Sequence, residues 1–407
     1  MATDRSTFDQ VDWDQIDEES DRELSANFIG TAVSIGVLVL LMLYDHFLVT
    51  GSYDSMLGLD LGGQYTPTFA PIGWAYDVTQ LDWLFAISLI VFGFYVVLPL
   101  YQNARMTKYY WREMKRNRPA MVSLGWLIFI FVIGVLGPLV IAAPESELFR
   151  KYQPPMFLEI GANYPINCIG PVVDGACQGT LQHPLGTTQN GKDIFKIIVY
   201  GMQISMKIGF IATLIVITIG TTVGTVSAYA GGLVDEVLMR YVDIQQSFPT
   251  FILYLLILYI YGASLFLFIV LFSLFSWEGT ARYVRSNALA KTEEEYIKAV
   301  QLSGASTYRV IRSHIMPNSA SSIVTDITLL IPSFILFEAQ FAFLGLGDST
   351  IPSWGVLIAQ GRSDLAFAPW ITLIPGLFLF FTILAFNFLG DALLDALNPE
   401  ADAESEQ

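Results

Sequence analysis

Residues 186–193 read Gly-Thr-Thr-Gln-Asn-Gly-Lys-Asp. This is one position short of the glycine, four residues, glycine, lysine, Ser or Thr pattern that cradles nucleotide phosphates. The chemistry needs a hydroxyl at the last position to ligate Mg²⁺, and Asp193 offers a carboxylate that would repel phosphate. No strand is expected before the loop, so the match reads as chance and the chain is expected to lack a nucleotide site of its own. The three histidines, His46, His183 and His314, fall in different loops or span ends without metal-ligand spacing. Cys168 and Cys177 share one loop, where they form either a disulfide acting as a structural clip or two free thiols. Asp235, Asp243 and Asp326 lie near the ends of apolar runs, where helix capping or pairing inside a bundle explains them better than an ion relay. No catalytic, cofactor or metal constellation emerges. An ion-driven transporter or an intramembrane enzyme is disfavoured.

The elements that carry these residues are set by composition. The chain has 407 residues, 54% hydrophobic and only 14% charged, well below the roughly 25% charged residues of soluble domains. Apolar runs lie near 28–49, 83–102, 121–143, 205–230, 250–261, 264–278, 322–343 and 370–390, several of them long enough to cross about 30 Å of hydrocarbon. They lack period-two alternation, so they are helices and not barrel strands. The predicted fold class is all-α, a polytopic membrane protein with about eight transmembrane helices. The segment 250–278 reads either as one tilted helix or as two short ones broken at Tyr261–Ser264. Basic residues concentrate on the cytoplasmic side. Arg105, Lys108, Arg112, Lys115, Arg116 and Arg118 therefore place the loop after the second span inside, and 51–80, with no Lys or Arg, outside. Counting onward puts 144–200 outside and the basic residues of 282–312 inside, which requires two crossings in 250–278 and places both termini in the cytoplasm. The net charge of −16 is concentrated in the tails, from Asp4 to Glu23 and from Asp402 to Glu406. They read as solvated, disordered tails, and such acidity also fits a salt-rich, haloarchaeal-type cytosol. The acidic start offers no signal peptide.

One long stretch, 292–318, is polar and charged in this apolar chain. Thr292 followed three residues later by Glu295 has capping-box spacing, with Glu293 and Glu294 suited to a helix N-terminus. The helix runs through Tyr296, Lys298, Ala299, Val300 and Leu302 to Gly304, a residue that tolerates a left-handed cap. Ser306 caps a second helix that Pro317 ends. The stretch has no apolar face wide enough to join a core. Its small apolar strip (Tyr296, Ala299, Val300, Leu302) suits shallow docking in a partner's groove or rest on lipid headgroups. Gly220 and Gly224 have the small-xxx-small spacing of close helix packing.

This stretch resembles the "EAA, three residues, G, nine residues, I-x-LP" loop of ABC importer permeases. The pattern falls on Lys298-Ala299-Val300, Gly304 and His314-Ile315-Met316-Pro317, departing at Lys298, Val300, His314 and Met316. Further segments resemble the C-type subunit of the dipeptide/oligopeptide (peptide/nickel) branch: 183–195, 229–249, "FLGLG" at 343–347, "PSWG" at 352–355, 368–377 and 386–400. The resemblance covers about 119–400 and implies a MetI-like, type I permease core at 201–395 with a cytoplasmic coupling loop at 281–318. It implies a first family helix and outer loop at 119–200. An added N-terminal hairpin at 28–118, a tail at 1–27 and a tail at 396–407 complete the division. It implies half of a translocation pathway in the plasma membrane, paired with a second permease subunit and seated on two cytoplasmic ABC ATPase subunits. An extracellular substrate-binding protein would deliver the cargo; no cofactor and no nucleic acid are implied. The residues implied at the ATPase contact are Glu295, Tyr296, Lys298, Ala299, Val300, Leu302, Gly304, Ala305, His314 and Pro317. Cargo other than peptides, such as nickel chelates or another small solute, fits the same motifs. A channel, a secondary transporter or a membrane scaffold are the readings from other classes.

Overall fold

The computed structural model describes residues 26–45, 78–161, 167–292, 294–305, 307–315 and 320–397. Both acidic tails, His46, Glu293, Ser306, Met316 and Pro317 lie outside the described residues. Two helices come first, α1 (Ala26–Tyr44) and α2 (Gln80–Gln102). Thr79 caps α2 reciprocally with Asp82, satisfying two amides that the helix start leaves open. The amphipathic α3 (Ala104–Arg116) leads into α4 (Arg118–Val140). After the connecting segment 141–193 comes α5 (Ile194–Ala230), at 37 residues longer than the bilayer requires. Then follow α6 (Gly232–Ser247), α7 (Thr250–Tyr261), α8 (Leu265–Leu274) and α9 (Glu278–Thr292). The short α10 (Glu295–Leu302) and α11 (Thr307–Val310), continued by a π-helical turn at Ile311–Ile315, form an elbow. The chain finishes with α12 (Ala320–Phe343), α13 (Trp354–Gly361) and α14 (Trp370–Leu397).

The protein is an all-α, polytopic membrane protein. Among the described residues seven helices are long and apolar enough to span, or eight if α6 and α7, bent by 68° at their junction, count as one broken span. Counting the broken span gives the expected eight, with bounds that differ in detail. Residues 250–261 join the helix before them, and 265–292 form one span-length unit running beyond 278. The reason is packing. Thr280, Ala281, Val284 and Ala288 of α9 are buried, and α9 lies along α5 where Gly220 and Gly224 let the backbones meet. A Cβ on Gly224 would stand 2.4 Å from the Ala281 carbonyl oxygen. The small-residue spacing thus serves packing within this chain, where lipid offers no hydrophobic drive and close van der Waals contact replaces it.

The central helix α5 contacts α2, α4, α6, α8, α9 and α12. Its buried face, including Ile198, Met202, Ile208, Ile211 and Val216, forms the middle of the core. Tyr254 stacks on Phe272 at 4.3 Å between ring centroids, and Phe341 closes this aromatic cluster.

This connecting segment contains a small antiparallel sheet, β1 (Glu159–Ile160), β2 (Val172–Val173) and β3 (Ala176–Gln178), in the order β1-β3-β2. Strands therefore do precede the phosphate-loop lookalike, contrary to expectation. Asp174 and Gly175, at φ of 52° and 78°, make the turn between β2 and β3, and this Asp-Gly pair is the sequence signal for such a hairpin.

Candidate functional site

The elbow is built from α9 to the π-helical turn. Thr292 does not cap α10: it is the last residue of α9, and its hydroxyl donates to the Leu289 carbonyl at 2.8 Å. Glu294 takes the cap position, its carbonyl accepting from Lys298 N at 3.4 Å, and its carboxylate binds Lys291 at 2.7 Å. At the other end Gly304 has φ of 85°, and Ala305 N reaches back to the Val300 carbonyl at 3.4 Å. That six-to-one bond across a left-handed residue is the Schellman closure, which favours glycine.

The elbow has a core of its own, against expectation. Ile297 and Val310 are fully buried and meet Ala228 and Ala288, with Val300, Ala305 and Ile311 packed around them. Burying Ile297 turns its neighbours outward. Glu295, Tyr296, Lys298, Ala299, Leu302 and Gly304 are exposed, Leu302 at 89%. Val300, Ala305 and His314 are half-buried, and the rings of Tyr296 and His314 lie 6.4 Å apart. The apolar strip is therefore split: Val300 leans inward, while Tyr296, Ala299 and Leu302 face out.

Polar links tie the root of the elbow to the bundle. Arg285 of α9 grips Asp235 of α6 with two donors, at 2.6 and 2.5 Å, and the Ser227 hydroxyl also donates to that carboxylate. Arg282 pairs with Asp243, and Thr280 donates to Asp326 of α12 at 2.6 Å. The three acidic residues singled out in the sequence are thus partners between helices. Two-point guanidinium–carboxylate pairing fixes direction as well as distance. Sequence reasoning missed a further pair: Lys207, nearly buried on α5, meets Asp82 of α2 at 2.6 Å. The cue was a single lysine inside an apolar run.

At the opposite end of α4 and α5 the segment that joins them is interlocked. A disulfide joins Cys168 to Cys177. His183, buried, shares 2.8 Å with the Asp193 carboxylate, whose other oxygen caps α5 through Phe195 N. In the lookalike loop, Thr187 N bonds to Gln153, Thr188 N to Lys192, and Gly191 N to Thr188, so these amides are committed internally. The indole of Trp370 donates to the Thr187 carbonyl at 3.3 Å, and that of Trp354 to Ile198 at 3.2 Å. Burial, with the Asp364 carboxylate accepting its hydroxyl at 3.2 Å, raises the Tyr152 phenol above its usual range.

This architecture can be set against known proteins. Residues 217–402 match the binding-protein-dependent transport system inner membrane component family, and 106–155 match the N-terminal TM domain of oligopeptide transport permease C. The dipeptide transport system permease protein DppC of Bacillus subtilis is 34% identical over 71% of this chain and 84% of its own length. The chain belongs to the peptide-transporter permease family of ABC importers. Another permease of this family, OppC of Escherichia coli, is 33% identical over 74% of this chain and 91% of its own. The glutathione permease GsiD of Pectobacterium atrosepticum is 37% identical over 54% and 73%. Among solved structures, the inward-facing MetNI methionine ABC transporter aligns with a TM-score of 0.42 and 19% identity over 49% of this chain and 96% of that chain. Both family matches begin after α2, so α1 and α2 precede the matched permease regions.

Proposed function

We propose that this permease forms half of the translocation pathway of an ATP-driven importer of di- and oligopeptides in the cell membrane, with both termini cytoplasmic. The other half comes from a second, distinct permease subunit. The pair sits on two cytoplasmic ATPase subunits, and the elbow docks on the ATPase through Glu295, Tyr296, Lys298, Ala299, Leu302 and Gly304, with Val300, Ala305, His314 and Pro317 shaping the contact. An extracellular binding protein delivers cargo to the outer loop 144–200. The chain contributes no catalytic site; ATP is hydrolysed by its partners. Relatives named for dipeptides, oligopeptides and glutathione support short peptides as the cargo class.

The observation that carries the coupling role is the elbow's two-sidedness. Ile297 and Val310 anchor it to the bundle while Tyr296, Ala299 and Leu302 stand exposed. A partner that pushes the exposed side moves α9, and Arg285 and Thr280 hand that motion to α6 and α12. Closure of the ATPases then shifts the population between outward- and inward-facing states, by as much as they bind one state better than the other.

The test is co-purification and turnover. Charge reversal at Lys298 with Leu302→Asp leaves insertion intact and abolishes ATPase association. Full association of that variant removes the docking role. In the assembled complex, short peptides stimulate ATP hydrolysis, whereas nickel chelates and sugars do not; stimulation by a chelate alone reassigns the cargo.

A further inference from the structure

The amphipathic helix α3 holds a charge density that the transport cycle above leaves unused. Residues 105–118 carry six basic side chains, Arg105, Lys108, Arg112, Lys115, Arg116 and Arg118, against the single acid Glu113, in a chain of net charge −16. All six are exposed. Among the described residues Glu113 pairs with Arg116 at 3.0 Å, and Arg105, Lys108, Arg112 and Arg118 make no ion pair. At about 100° per residue the five basic residues of the helix itself fall in one stripe roughly 100° wide. Buried Met114 lies on the other side, where α3 rests against α14. The stripe therefore faces away from the protein.

Its borders carry exposed aromatic residues. Tyr109 flanks one edge and Trp111 the other, 37% and 43% exposed, and Lys115 sits over the Trp111 ring at 5.3 Å. Aromatic rings beside snorkelling cations are the composition of the water–lipid boundary, and α3 lies between two membrane spans, α2 and α4. A cleft of about 570 Å³ opens at its C-terminal end between Arg116, Arg118 and α14, with Glu113 and Asp395 also on its walls.

The geometry points to α3 as a binding surface for anionic lipid headgroups, whose phosphates neutralise the stripe while Tyr109 and Trp111 seat at the acyl boundary. Charge complementarity selects this occupant: the stripe repels the amines of a basic surface, and its flanking rings suit an interface between water and hydrocarbon. Lipid held here would fix the position of α3 against the end of α14.

The test uses the full-length protein in nanodiscs of equal parts phosphatidylglycerol and phosphatidylcholine, with the lipid retained after detergent extraction quantified by mass spectrometry. Each charge near such a surface is worth about fivefold in binding. The variant Arg105→Gln, Lys108→Gln, Arg112→Gln, Lys115→Gln therefore loses about tenfold or more of the phosphatidylglycerol enrichment. The charge-preserving Arg105→Lys, Arg112→Lys variant keeps it. Equal enrichment in the glutamine variant overturns the proposal. So does enrichment that appears only after removal of residues 1–25, which would make the acidic tail the occupant. Displacement of the lipid by inorganic phosphate at the same concentration would assign the stripe to free anions and also overturns it.

Discussion

The two ends of the bundle are held in different ways. At the outer end the contacts bind residues far apart in the chain: Trp370 to Thr187, Trp354 to Ile198, Tyr152 to Asp364. A disulfide and the buried His183–Asp193 pair lock what lies between. At the elbow the private core is small, Ile297 and Val310 on Ala228 and Ala288, and the side chains beyond it are exposed. A densely bonded region opens only with the whole fold, while a segment with few buried apolar contacts and exposed surroundings opens as one small unit. Under the proposed function the cap keeps its shape for a delivery protein, and the elbow shifts with the ATPases. The same chain supplies both by changing how much each end buries and bonds.

The largest expected effect tests how firmly α2 is held to α5 at the end of the bundle that carries the cap. Asp82→Asn leaves the Lys207 ammonium, whose side chain is 9% exposed, without its counter-charge. Breaking one partner of a buried pair costs about 3–5 kcal/mol, whereas removing both is often neutral. Asp82→Asn should therefore lower the thermal midpoint strongly, and adding Lys207→Met should recover most of the loss. Additive losses in that cycle would mean that the two groups do not depend on each other.

The next effect tests the cap alone. Cys168→Ser opens a loop between residues nine apart, and chain-entropy arguments put such closures at about 2–3 kcal/mol. Hydrogen exchange should rise across 155–193 and stay unchanged across 295–305. Equal increases at both ends would dissolve the contrast between them. Free labelling of both thiols in the unreduced protein would remove the bridge altogether.

How much of this was legible beforehand depends on the range of the interaction concerned. Spans were readable because an apolar run is a local property, and the elbow because a polar run with Gly304 in it is equally local. The hairpin at Asp174–Gly175 was missed, because strands of two and three residues are too short to show a period. Thr292 misled: its spacing to Glu295 is that of a cap, yet buried Ala288 carries α9 through it, so tertiary packing overrode the local signal. The inward turn of Ile297 and Val310 depends on where Ala228 and Ala288 lie, and the partner of Lys207 sits on a helix from another part of the chain. Neither is written in any short window.

The smallest effect falls on the elbow and separates conformation from contact. A Cβ built on Gly304 meets nothing within 4 Å, so Gly304→Ala removes no packing and adds no clash. What it disturbs is the backbone at φ of 85°, a left-handed geometry that costs an L-residue about 1–2 kcal/mol. That corresponds to roughly a 5–30-fold rise in local opening, visible as faster exchange of the amides in 295–305 while the global midpoint stays in place. Gly304→Asn should cost less than Gly304→Ala, because asparagine visits this region more readily. An alanine variant as slow to exchange as the native chain would mean that the bend is held by its surroundings and not by its glycine. The elbow would then be as interlocked as the cap, and the two ends would no longer differ in the way that lets one of them move.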